Sequence, residues 1–499
     1  VTLKRTAYSA NIKERRDFSC AVFDAFGRMI AQAAHIPVHL GSMPLSVAAA
    51  LNAHRFEEGD MVVLNNPFRG GTHLPDITLV APVFAGTDSP LFFVACRAHH
   101  ADIGGMSAGS MPMSQSIFQE GLIIPPVVFV RKGRLDASLM RIFLANVRTP
   151  EEREGDFLAQ ITANLIGVQR MTELVNLHGE AVVSNYGGYL IDYAGAMIAR
   201  AVSGLTDGRY TFEDTMEDDG AGTENIVIRV AVSIDGDRAE IDFSDTDNQV
   251  PGCVNAVYAV TLSCVLYVFR SMVSSDVPTN AGCLNPLTVK TRKGSLLDAR
   301  SPAAVAGGNV ETAQRIVDVL FGALAEAAPG RVPAAAQGTM NNLTIGGIQP
   351  ETGVPFTYYE TIGGGMGATA WQNGASAVHS HMTNTLNTPV EAIEYAFPLQ
   401  VMRYAVRRGS GGSGRFAGGD GIVREIRVLA DSEATIISER RKNGPYGLMG
   451  GNAGQVGSNI LVRGGAEQLL PSKCRLRLRA GDIIRIETPG GGGYGFHER

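Results

Sequence analysis

The segments His73-Leu74-Pro75-Asp76 and His99-His100-Ala101-Asp102 carry the pattern on which the interpretation of this sequence depends. In each segment a histidine stands three residues ahead of an aspartate. Imidazole and carboxylate together form a ligand set that zinc, manganese or iron accepts without a thiolate. Glycine pairs flank the two segments at Gly70-Gly71 and Gly104-Gly105, and glycine allows tight turns and a close approach of the backbone to a ligand. The doubled pattern therefore predicts a metal-dependent site built from the ends of two strands.

The metal ligands can be assigned within this pattern by spacing. A single histidine on an apolar face is usually structural, but two matched units beside glycine pairs are harder to explain that way. We therefore predict that His73, Asp76 and His99 bind the metal. Either His99 or His100 can supply the second imidazole, and the matched spacing favours His99. Because adjacent residues of a strand point to opposite faces, His100 should pack or contact substrate, and it is a candidate catalytic residue.

A further carboxylate can come from either side of the strand predicted at residues 19–24. Asp17 precedes this strand, and Asp24 closes it before a turn at Gly27. Each acid taken alone is more simply a surface residue or a turn former. We include Asp24 in the predicted ligand set.

Two later segments are candidates for binding substrate. His379-Ser380-His381 places two histidines on one side of a strand, which suits a second metal point, a substrate site or, equally well, a hydrogen-bonded loop. Residues 363–368 are similar to an anion-cradling loop but lack the GK[ST] of a Walker motif. The predicted substrate contacts are His381, Asn384, Gly364 and Gly365.

The composition of the whole chain excludes several classes of protein. The 499 residues carry a net charge of −6 without a long basic block, so nucleic acid is not an expected partner. The most apolar stretch, residues 254–273, contains Asn255 and Arg270 and suits a buried helix better than a membrane span. Six cysteines form no CxxC pair, which is typical of free thiols in a reducing compartment. No signal-peptide pattern is found, and we expect a cytoplasmic protein without a membrane contact.

Hydrophobic periodicity predicts an α+β fold in three regions. Residues 1–150 are a mixed strand and helix region that carries the metal motifs. Residues 151–330 contain long helices and a hairpin that turns at Asp235-Gly236. Residues 331–499 are rich in glycine and dominated by strands.

The helical stretch at the start of the middle region can be divided further. It should run from residue 151 to residue 202, with a break at Tyr186-Gly187-Gly188. Apolar residues recur there at three- and four-residue spacing and should form one buried helix face. They are Phe157, Ile161, Leu165, Val168, Met171, Leu174 and Leu177. Two more helices are predicted at residues 255–272 and 312–328.

The metal motifs also carry a resemblance to a known family. Residues 66–76 and 97–105, together with Gln119-Glu120-Gly121, resemble the hydantoinase B/oxoprolinase family. Further matching segments are residues 307–312, 381–385 and 488–495. The resemblance covers essentially the whole chain, and its motifs are specific.

The resemblance implies a two-component, ATP-dependent enzyme that acts on a small cyclic amide, such as a hydantoin, an N-methylhydantoin or 5-oxoproline. This chain would be the B-type component and would hold a divalent zinc, manganese or iron ion at the motifs above. The partner would be a hydantoinase A-type ATPase subunit, which binds ATP and phosphorylates the carbonyl oxygen, in a hetero-oligomer. The B-type component then directs attack on the activated carbon.

The implied chemistry is physically reasonable. Resonance makes an unstrained amide resistant to hydrolysis, and phosphorylation of its oxygen removes that resonance. A bound metal lowers the pKa of its water toward about 7, and Asp102 or Glu120 can serve as the general base. Two alternatives share the motifs. One is the metal-carrying subunit of an ATP-dependent acetone or acetophenone carboxylase, although such subunits tend to be longer, and the other is a scaffold that only binds the ATPase.

Overall fold

A computed structural model describes residues 1–33 and 36–496 and contains helices and several β-sheets, which confirms the predicted α+β class. The helices of the described residues are α1 (Thr2–Thr6), α2 (Ala10–Lys13), α3 (Ser42–Ala53), α4 (Ala137–Ala145), α5 (Pro150–His178), α6 (Glu180–Val202), α7 (Tyr258–Ser271), α8 (Ala313–Ala327) and α9 (Val390–Ala396). Within the described residues, no helix is both long and apolar enough to cross a membrane.

The N-terminal region forms a seven-stranded sheet. Its strands are β1 (Phe18–Asp24), β2 (Met29–Ala33), β3 (Met61–Leu64), β4 (Asp76–Val83), β5 (Phe92–His99), β6 (Val127–Arg131) and β7 (Arg134–Leu135). They lie in the order β2-β1-β5-β4-β3-β6-β7. The central strands β4 and β5 are antiparallel and buried along their whole length. Because of this register, the first residue of β4 lies beside the last residue of β5.

The long helices α5 and α6 follow this sheet, and their boundary differs from the prediction. The break lies at Gly179, whose φ of 84° and ψ of 149° end α5 and start α6. This backbone conformation is essentially restricted to glycine. The predicted break at Tyr186-Gly187-Gly188 was wrong, because these residues lie inside α6. Gly187 instead allows close packing, since a Cβ there would lie 3.1 Å from Ile30.

The buried face of α5 also differs from the predicted apolar face. Leu165, Leu174 and Leu177 are exposed, so their inclusion was wrong. Two polar residues face the sheet instead: the amide of Gln160 donates to the Ile77 carbonyl oxygen at 3.0 Å, and Asn164 donates to Leu79. A periodicity of apolar residues does not register polar side chains that are buried with hydrogen-bond partners.

The middle region forms a four-stranded sheet covered by helices. Its strands are β8 (Gly208–Asp218), β9 (Glu224–Asp235), β10 (Arg238–Asp242) and β11 (Leu287–Lys290), in the order β11-β10-β9-β8. The predicted hairpin at Asp235-Gly236 is confirmed by the pairing of β9 with β10. Helices α7 and α8 confirm the two further helical predictions and pack on each other, and α8 also packs on β8 and β9.

The C-terminal region contains two more sheets, as its strand-dominated pattern predicts. The strands are β12 (Asn342–Ile348), β13 (Pro355–Glu360), β14 (Leu399–Arg407), β15 (Gly421–Val428), β16 (Ser432–Ile437), β17 (Ser458–Arg463), β18 (Ala466–Leu470), β19 (Lys473–Leu478) and β20 (Ile483–Glu487). One sheet has the order β13-β12-β16-β19 and the other β14-β15-β20-β17-β18. The largest hydrophobic core extends from Leu3 to Ile437 and draws on all three predicted regions, while their boundaries at residues 150 and 330 stay a prediction.

Candidate metal centre

The ends of β4 and β5 bring the two histidine–aspartate motifs together. Asp76 begins β4 and pairs with His99, which ends β5. His73 lies in the tight turn before β4, where the amide of Asp76 donates to the His73 carbonyl oxygen. The structure thus gathers His73, Asp76 and His99 into a cluster that is able to hold a metal ion.

The ligand atoms of this cluster are spaced as they would be around a shared ion. The Nε2 of His73 and the Nδ1 of His99 are 3.2 Å apart. Each of these nitrogens lies 3.3 Å from Oδ1 of Asp76. Four ligands arranged tetrahedrally at roughly 2.0–2.1 Å from zinc are about 3.3 Å from one another. The three atoms therefore match three corners of a tetrahedral site.

The hydrogen bonds around the cluster orient its imidazoles. Nδ1 of His73 lies 3.4 Å from the carbonyl oxygen of Ala306, so a proton on Nδ1 can donate to that oxygen while Nε2 faces the cluster. Metal-bound histidines are usually oriented in this way. Nε2 of His99 is buried without a hydrogen-bond partner among the described residues, and its ring stacks on Tyr359 at 4.7 Å.

A third histidine, His39, joins the cluster and was missed by the sequence reasoning. Its Nε2 lies 3.4 Å from Oδ2 of Asp76, and its Nδ1 lies 3.0 Å from the Ser19 hydroxyl. Thr72 donates a 2.5 Å hydrogen bond to the same Oδ2. His39 sits in a short helical turn and has no Asp at matched spacing. No signal in the sequence therefore connected it with the motifs.

Burial and charge act in opposite directions on the ionisation of the cluster. Burial raises the pKa of Asp76, but the charges of His73 and His39 and their hydrogen bonds outweigh this and hold it well below the usual value. Burial lowers the pKa of His99 to about 3. An ionised carboxylate beside a neutral imidazole is the state in which both groups bind a cation.

The cavity is also lined by the carboxylate of Asp17, which was not in the predicted ligand set. Asp17 lines the cavity beside His39, His73, Asp76 and His99. Burial raises the pKa of Asp17 to about 7, against the lowering effect of Arg15. The cavity has a volume of about 20 Å³, which is room for one ion or one water molecule. Its other lining residues are Ile36, Val38, Asn309, Val310, Met340, Tyr359, Thr361, Met382, Thr383 and Thr385.

An amide and three hydroxyl groups complete the polar lining. Asn309 lies in a π-helical turn, Gly308–Thr312, and its amide approaches Nε2 of His73 at 3.1 Å. Its second polar atom, Oδ1, is buried without a partner in the described structure. Thr361 and Thr385 are linked through their hydroxyls at 3.0 Å, and Thr383 lies 3.3 Å from Thr385. Single π-helical turns are frequent at functional sites.

The predicted site residues Asp24, Asp102 and His100 lie away from this cavity. Asp24 is at the opposite end of β1, beside Phe92, and its carboxylate accepts from Arg28 at 2.7 Å. The structure therefore does not bring Asp24 to the metal cluster, because the strand carries it along the sheet. Both oxygens of Asp102 accept hydrogen bonds from Arg148, so this carboxylate anchors a loop.

The third of these residues, His100, points to the other side of the sheet from His99. Its Nε2 is 2.9 Å from the side-chain oxygen of Gln160, and its ring packs at 4.8 Å against Phe157 of α5. The packing alternative for His100 agrees with this placement, whereas contact with substrate in the cavity does not. The alternation of side chains at the end of β5 explains the difference between the two histidines.

Glu120 influences the cluster indirectly, through the loop that contacts His73. Its Oε1 accepts hydrogen bonds from the amides of Val305 and Ala306 at 2.7 and 3.0 Å. The carbonyl oxygen of Ala306 is the one that orients His73. Burial raises the pKa of Glu120 to about 7. Glu120 thus holds the loop that sets the His73 imidazole, and it does not line the cavity.

The predicted substrate contacts lie beside the cavity rather than in it. His381 is buried next to Tyr267, 3.2 Å from the Tyr267 hydroxyl, and Asn384 is exposed. The neighbours of Asn384, Thr383 and Thr385, point inward instead. In this segment the cavity is therefore lined by the two neighbours of Asn384 and not by Asn384 itself, and a role of the segment in binding substrate stays a prediction.

Gly364 and Gly365 belong to a layer of closely packed backbone. A Cβ on Gly364 would lie 2.1 Å from Gln337, and one on Gly365 would lie 1.9 Å from the carbonyl oxygen of Gly419. No side chain fits at either position, and neither residue lines the cavity. The glycines serve close packing at these positions and do not surround a ligand space.

Comparison with known proteins decides the family. The sequence profile described as hydantoinase B/oxoprolinase matches residues 1–497. This chain belongs to the hydantoinase B/oxoprolinase family. The 5-oxoprolinase 1 of Arabidopsis thaliana is 40% identical over 520 residues and matches 99% of this chain. The B-type subunit of a putative D-/L-hydantoinase from a Pseudomonas strain is 30% identical over 517 residues, covering 99% of this chain and 86% of the relative.

A solved structure supports the same assignment. The crystal structure of ATP-dependent caprolactamase from Pseudomonas jessenii superposes with a TM-score of 0.92 at 27% identity, covering 99% of this chain and 88% of that chain. The family assignment is thus supported by both sequence and fold. The chain spans only 40% of the length of the Arabidopsis 5-oxoprolinase, so the relative contains a large additional part.

Proposed function

We propose that this chain is a subunit of an ATP-dependent enzyme that opens a small cyclic amide of the hydantoin or 5-oxoproline type. In this proposal the chain carries the site at which the amide is opened. The observation that carries the proposal is the convergence of His73, Asp76 and His99, whose ligand atoms all lie within 4.8 Å of one another. The relatives named as 5-oxoprolinase, D-/L-hydantoinase and caprolactamase support a cyclic amide as the substrate class.

In this proposal a divalent zinc, manganese or iron ion is held by His73, Asp76 and His99, with Asp17 as a further ligand in place of Asp24. Buried carboxylates are normally paired or bound to metal. The ion-pair partner of Asp17 is Arg15, at 3.9 Å, which is a weak pairing. When bound there, such an ion polarises an oxygen of the substrate or activates a water molecule.

In this proposal the residues around the cluster orient Asp76 and bind the substrate amide. His39 and Thr72 hold Oδ2 of Asp76 by hydrogen bonds, which directs its Oδ1 toward the imidazoles. The amide of Asn309 and the hydroxyls of Thr383 and Thr385 offer hydrogen bonds to the oxygen and nitrogen of an amide.

The nucleotide belongs, in this proposal, to a separate hydantoinase A-type ATPase subunit. The Pseudomonas relative, whose name marks it as one subunit of a hydantoinase, supports a two-subunit arrangement. The Arabidopsis 5-oxoprolinase, of which this chain matches 40%, is long enough to hold both components in one polypeptide. In the proposed division, activation by phosphorylation takes place in the ATPase and opening of the amide takes place here.

The test is reconstitution of this chain with its ATPase partner. Ring opening of hydantoins and 5-oxoproline is measured together with ATP hydrolysis, and a parallel reaction with ketone and bicarbonate reports carboxylation. We expect ring opening that requires both proteins. His99→Ala should abolish it, while His54→Ala, in a histidine that pairs with Asp60 away from the cavity, should not. Carboxylation without ring opening would show that the chain acts in a different reaction class.

Metal content provides a readout that is independent of activity. Elemental analysis of the isolated chain should show about one equivalent of metal, and His73→Ala should remove most of it. His100→Ala should retain the metal, because its imidazole packs on the opposite side of the sheet. Full metal retention in His73→Ala would contradict the assignment of the cluster.

A further inference from the structure

Three buried threonine hydroxyls form a row between a buried arginine and the cavity. Nη2 of Arg15 lies 2.7 Å from Oγ1 of Thr361. That oxygen lies 3.0 Å from Oγ1 of Thr385, which in turn lies 3.3 Å from Oγ1 of Thr383. All four residues are buried, and the three threonines line the cavity of the candidate metal centre. These four groups, here called the hydroxyl chain, connect a fixed positive charge with the cavity.

The positive charge of Arg15 is weakly compensated. Its ion pair with Asp17 has an N–O distance of 3.9 Å, which is too long for a hydrogen bond. Its Nη1 donates to two neutral oxygens at 3.3 Å, the side-chain oxygen of Asn11 and the carbonyl oxygen of Tyr359. The guanidinium also lies 4.8 Å from the centre of the Tyr359 ring. Hydrogen bonds from such a cation are stronger than neutral ones, so Arg15 polarises the hydroxyl that accepts from it.

The numbers of donors and acceptors give the hydroxyl chain a direction. A guanidinium has five N–H donors and no acceptor, whereas a hydroxyl has one proton and two lone pairs. Thr361 therefore accepts from Arg15 and has its own proton available for Thr385. Thr385 accepts that proton and can donate its own to Thr383. The proton of Thr383 then has no acceptor among the described residues, and it is available to a ligand in the cavity.

The charge of Arg15 disfavours the opposite direction. If Thr383 donated to Thr385 and Thr385 to Thr361, the unpaired proton would belong to Thr361, beside the guanidinium. All three hydroxyl dipoles would then turn their positive ends toward a buried cation. In the direction given above, each oxygen faces the cation instead, and successive bonds strengthen one another at low dielectric.

The backbone holds the hydroxyl chain in place. The amide of Leu386, next to Thr385, donates to the carbonyl oxygen of Arg15 at 3.1 Å. The side-chain amide of Asn387 donates to the carbonyl oxygen of Thr361 at 2.9 Å. The segment that carries two of the threonines is therefore tied to both Arg15 and Thr361. Donors that are held in place before the reaction stabilise a developing charge most effectively.

We propose that Thr383 is a catalytic donor that binds a negatively charged oxygen of the substrate, and that Arg15 is a positioning residue that sets the direction of this donor through Thr361 and Thr385. The inference rests on the proposed function, and it assigns an acceptor oxygen, not the ring N–H, to this part of the cavity. Two oxygens of an activated amide have this chemistry. One is bonded to the amide carbon and gains negative charge when water adds there, and the other belongs to a phosphoryl group.

The role of Thr383 is tested with shape-matched variants of this chain in complex with its ATPase partner. Thr383→Val should lower kcat for ring opening about 10²–10³-fold with little change in KM, as expected for loss of one such donor. Thr383→Ser keeps the donor and should retain most of kcat. Thr361→Val should lower kcat by less than Thr383→Val, again with little change in KM. The control is Thr357→Val in β13, which removes a buried hydroxyl without a partner outside the cavity and should leave kcat unchanged.

Inorganic phosphate, added as an inhibitor, distinguishes the two oxygens. If Thr383 binds a phosphoryl oxygen, Thr383→Val should weaken inhibition by phosphate at least about tenfold, because a hydrogen bond to a charged group is lost. If Thr383 binds the oxygen on the amide carbon, the inhibition constant should be the same in Thr383→Val and wild type. Either result supports the proposal when Thr383→Val also loses kcat.

The direction of the hydroxyl chain is tested without any activity. Neutron diffraction from deuterated crystals of this chain locates the hydroxyl deuterium atoms, which ordinary X-ray data do not show. The deuterium of Thr361 should point to Thr385, and that of Thr385 to Thr383. The opposite direction would overturn the proposal, and so would full kcat in Thr383→Val or a Thr361→Val variant that changes KM alone. A wild-type complex that opens no ring would refute the proposed function and with it the role of Thr383 toward substrate, while the neutron map would still decide the direction.

Discussion

Replacing Asp17 by asparagine should remove most of the affinity of this chain for a divalent metal, whereas Asp24→Asn should leave that affinity unchanged. The two aspartates lie at opposite ends of β1. The sequence offered both as candidates, and Asp24 was the one included in the predicted ligand set. Asp17 precedes the strand and lines the cavity that contains Asp76 and His99. Asp24 ends the strand and is paired with Arg28.

The expected magnitudes follow from the distance along the strand. The seven residues of β1 span about 23 Å at roughly 3.3 Å per residue. This is more than twice the Debye length of about 8–10 Å in ordinary buffers, so the charge of Asp24 has almost no effect at the cluster. Loss of a group that merely supports a ligand weakens metal binding about 10–100-fold. Loss of the Asp17 carboxylate itself should therefore weaken it by more than about 100-fold.

The assay is a metal titration of the chelator-stripped chain against a competing chromophoric chelator, with zinc and with manganese. Asparagine preserves the volume of aspartate, and thermal melts of the metal-free variants check that folding is unaffected. The reasoning is refuted if Asp17→Asn binds metal as tightly as wild type. It is equally refuted if Asp24→Asn weakens binding to the same extent as Asp17→Asn.

Three further predictions concern stability. Burial raises the pKa of Glu311 to about 7 from its usual 4.5; since the folded chain then retains a proton that the unfolded chain releases, stability should fall as the pH rises through this interval, and denaturant titrations of Glu311→Gln should show a smaller fall. Phe157→Ala should cost about 3–5 kcal/mol in the same assay, because the ring is fully buried, and an equal loss in the half-exposed neighbour variant Leu158→Ala would argue against a packing origin. Gly179→Ala should lower the melting temperature, because φ is 84° with open space around the Cβ position and the strain costs about 1–3 kcal/mol; Gly188→Ala, inside α6, should raise it, and a reversed order would contradict this explanation.

Burial of side chains, on which the stability predictions depend, also explains where the sequence patterns were right and where they were wrong. The pattern of apolar residues in α5 indicated a helix correctly, because the spacing of a helix is a local property. It selected Leu165 and Leu174 for burial, although Gln160 and Asn164 are the residues that face the sheet. Burial of an amide depends on carbonyl groups of a distant strand, and no local pattern records those partners.

The site residues at the ends of β4 and β5 could be predicted from the sequence. The strands, the turn before Asp76 and the repeated spacing of histidine and aspartate are all local, and they identified His73, Asp76 and His99 as a group. The family was recognisable for the same reason, since its motifs are short contiguous segments. The predicted α+β class likewise rested on the local alternation of helix and strand patterns.

Only the tertiary structure decided which other residues join this group. His39, Asn309 and Thr383 come from parts of the chain that are far from the motifs in sequence, and packing of the three regions around one core brings them to the same cavity. The choice between Asp17 and Asp24 likewise depended on which end of β1 lies beside the end of β5. Sequence spacing fixes neighbours along the chain, whereas a cavity is formed by contacts between distant segments, and the free energy of those contacts comes from burying the whole core.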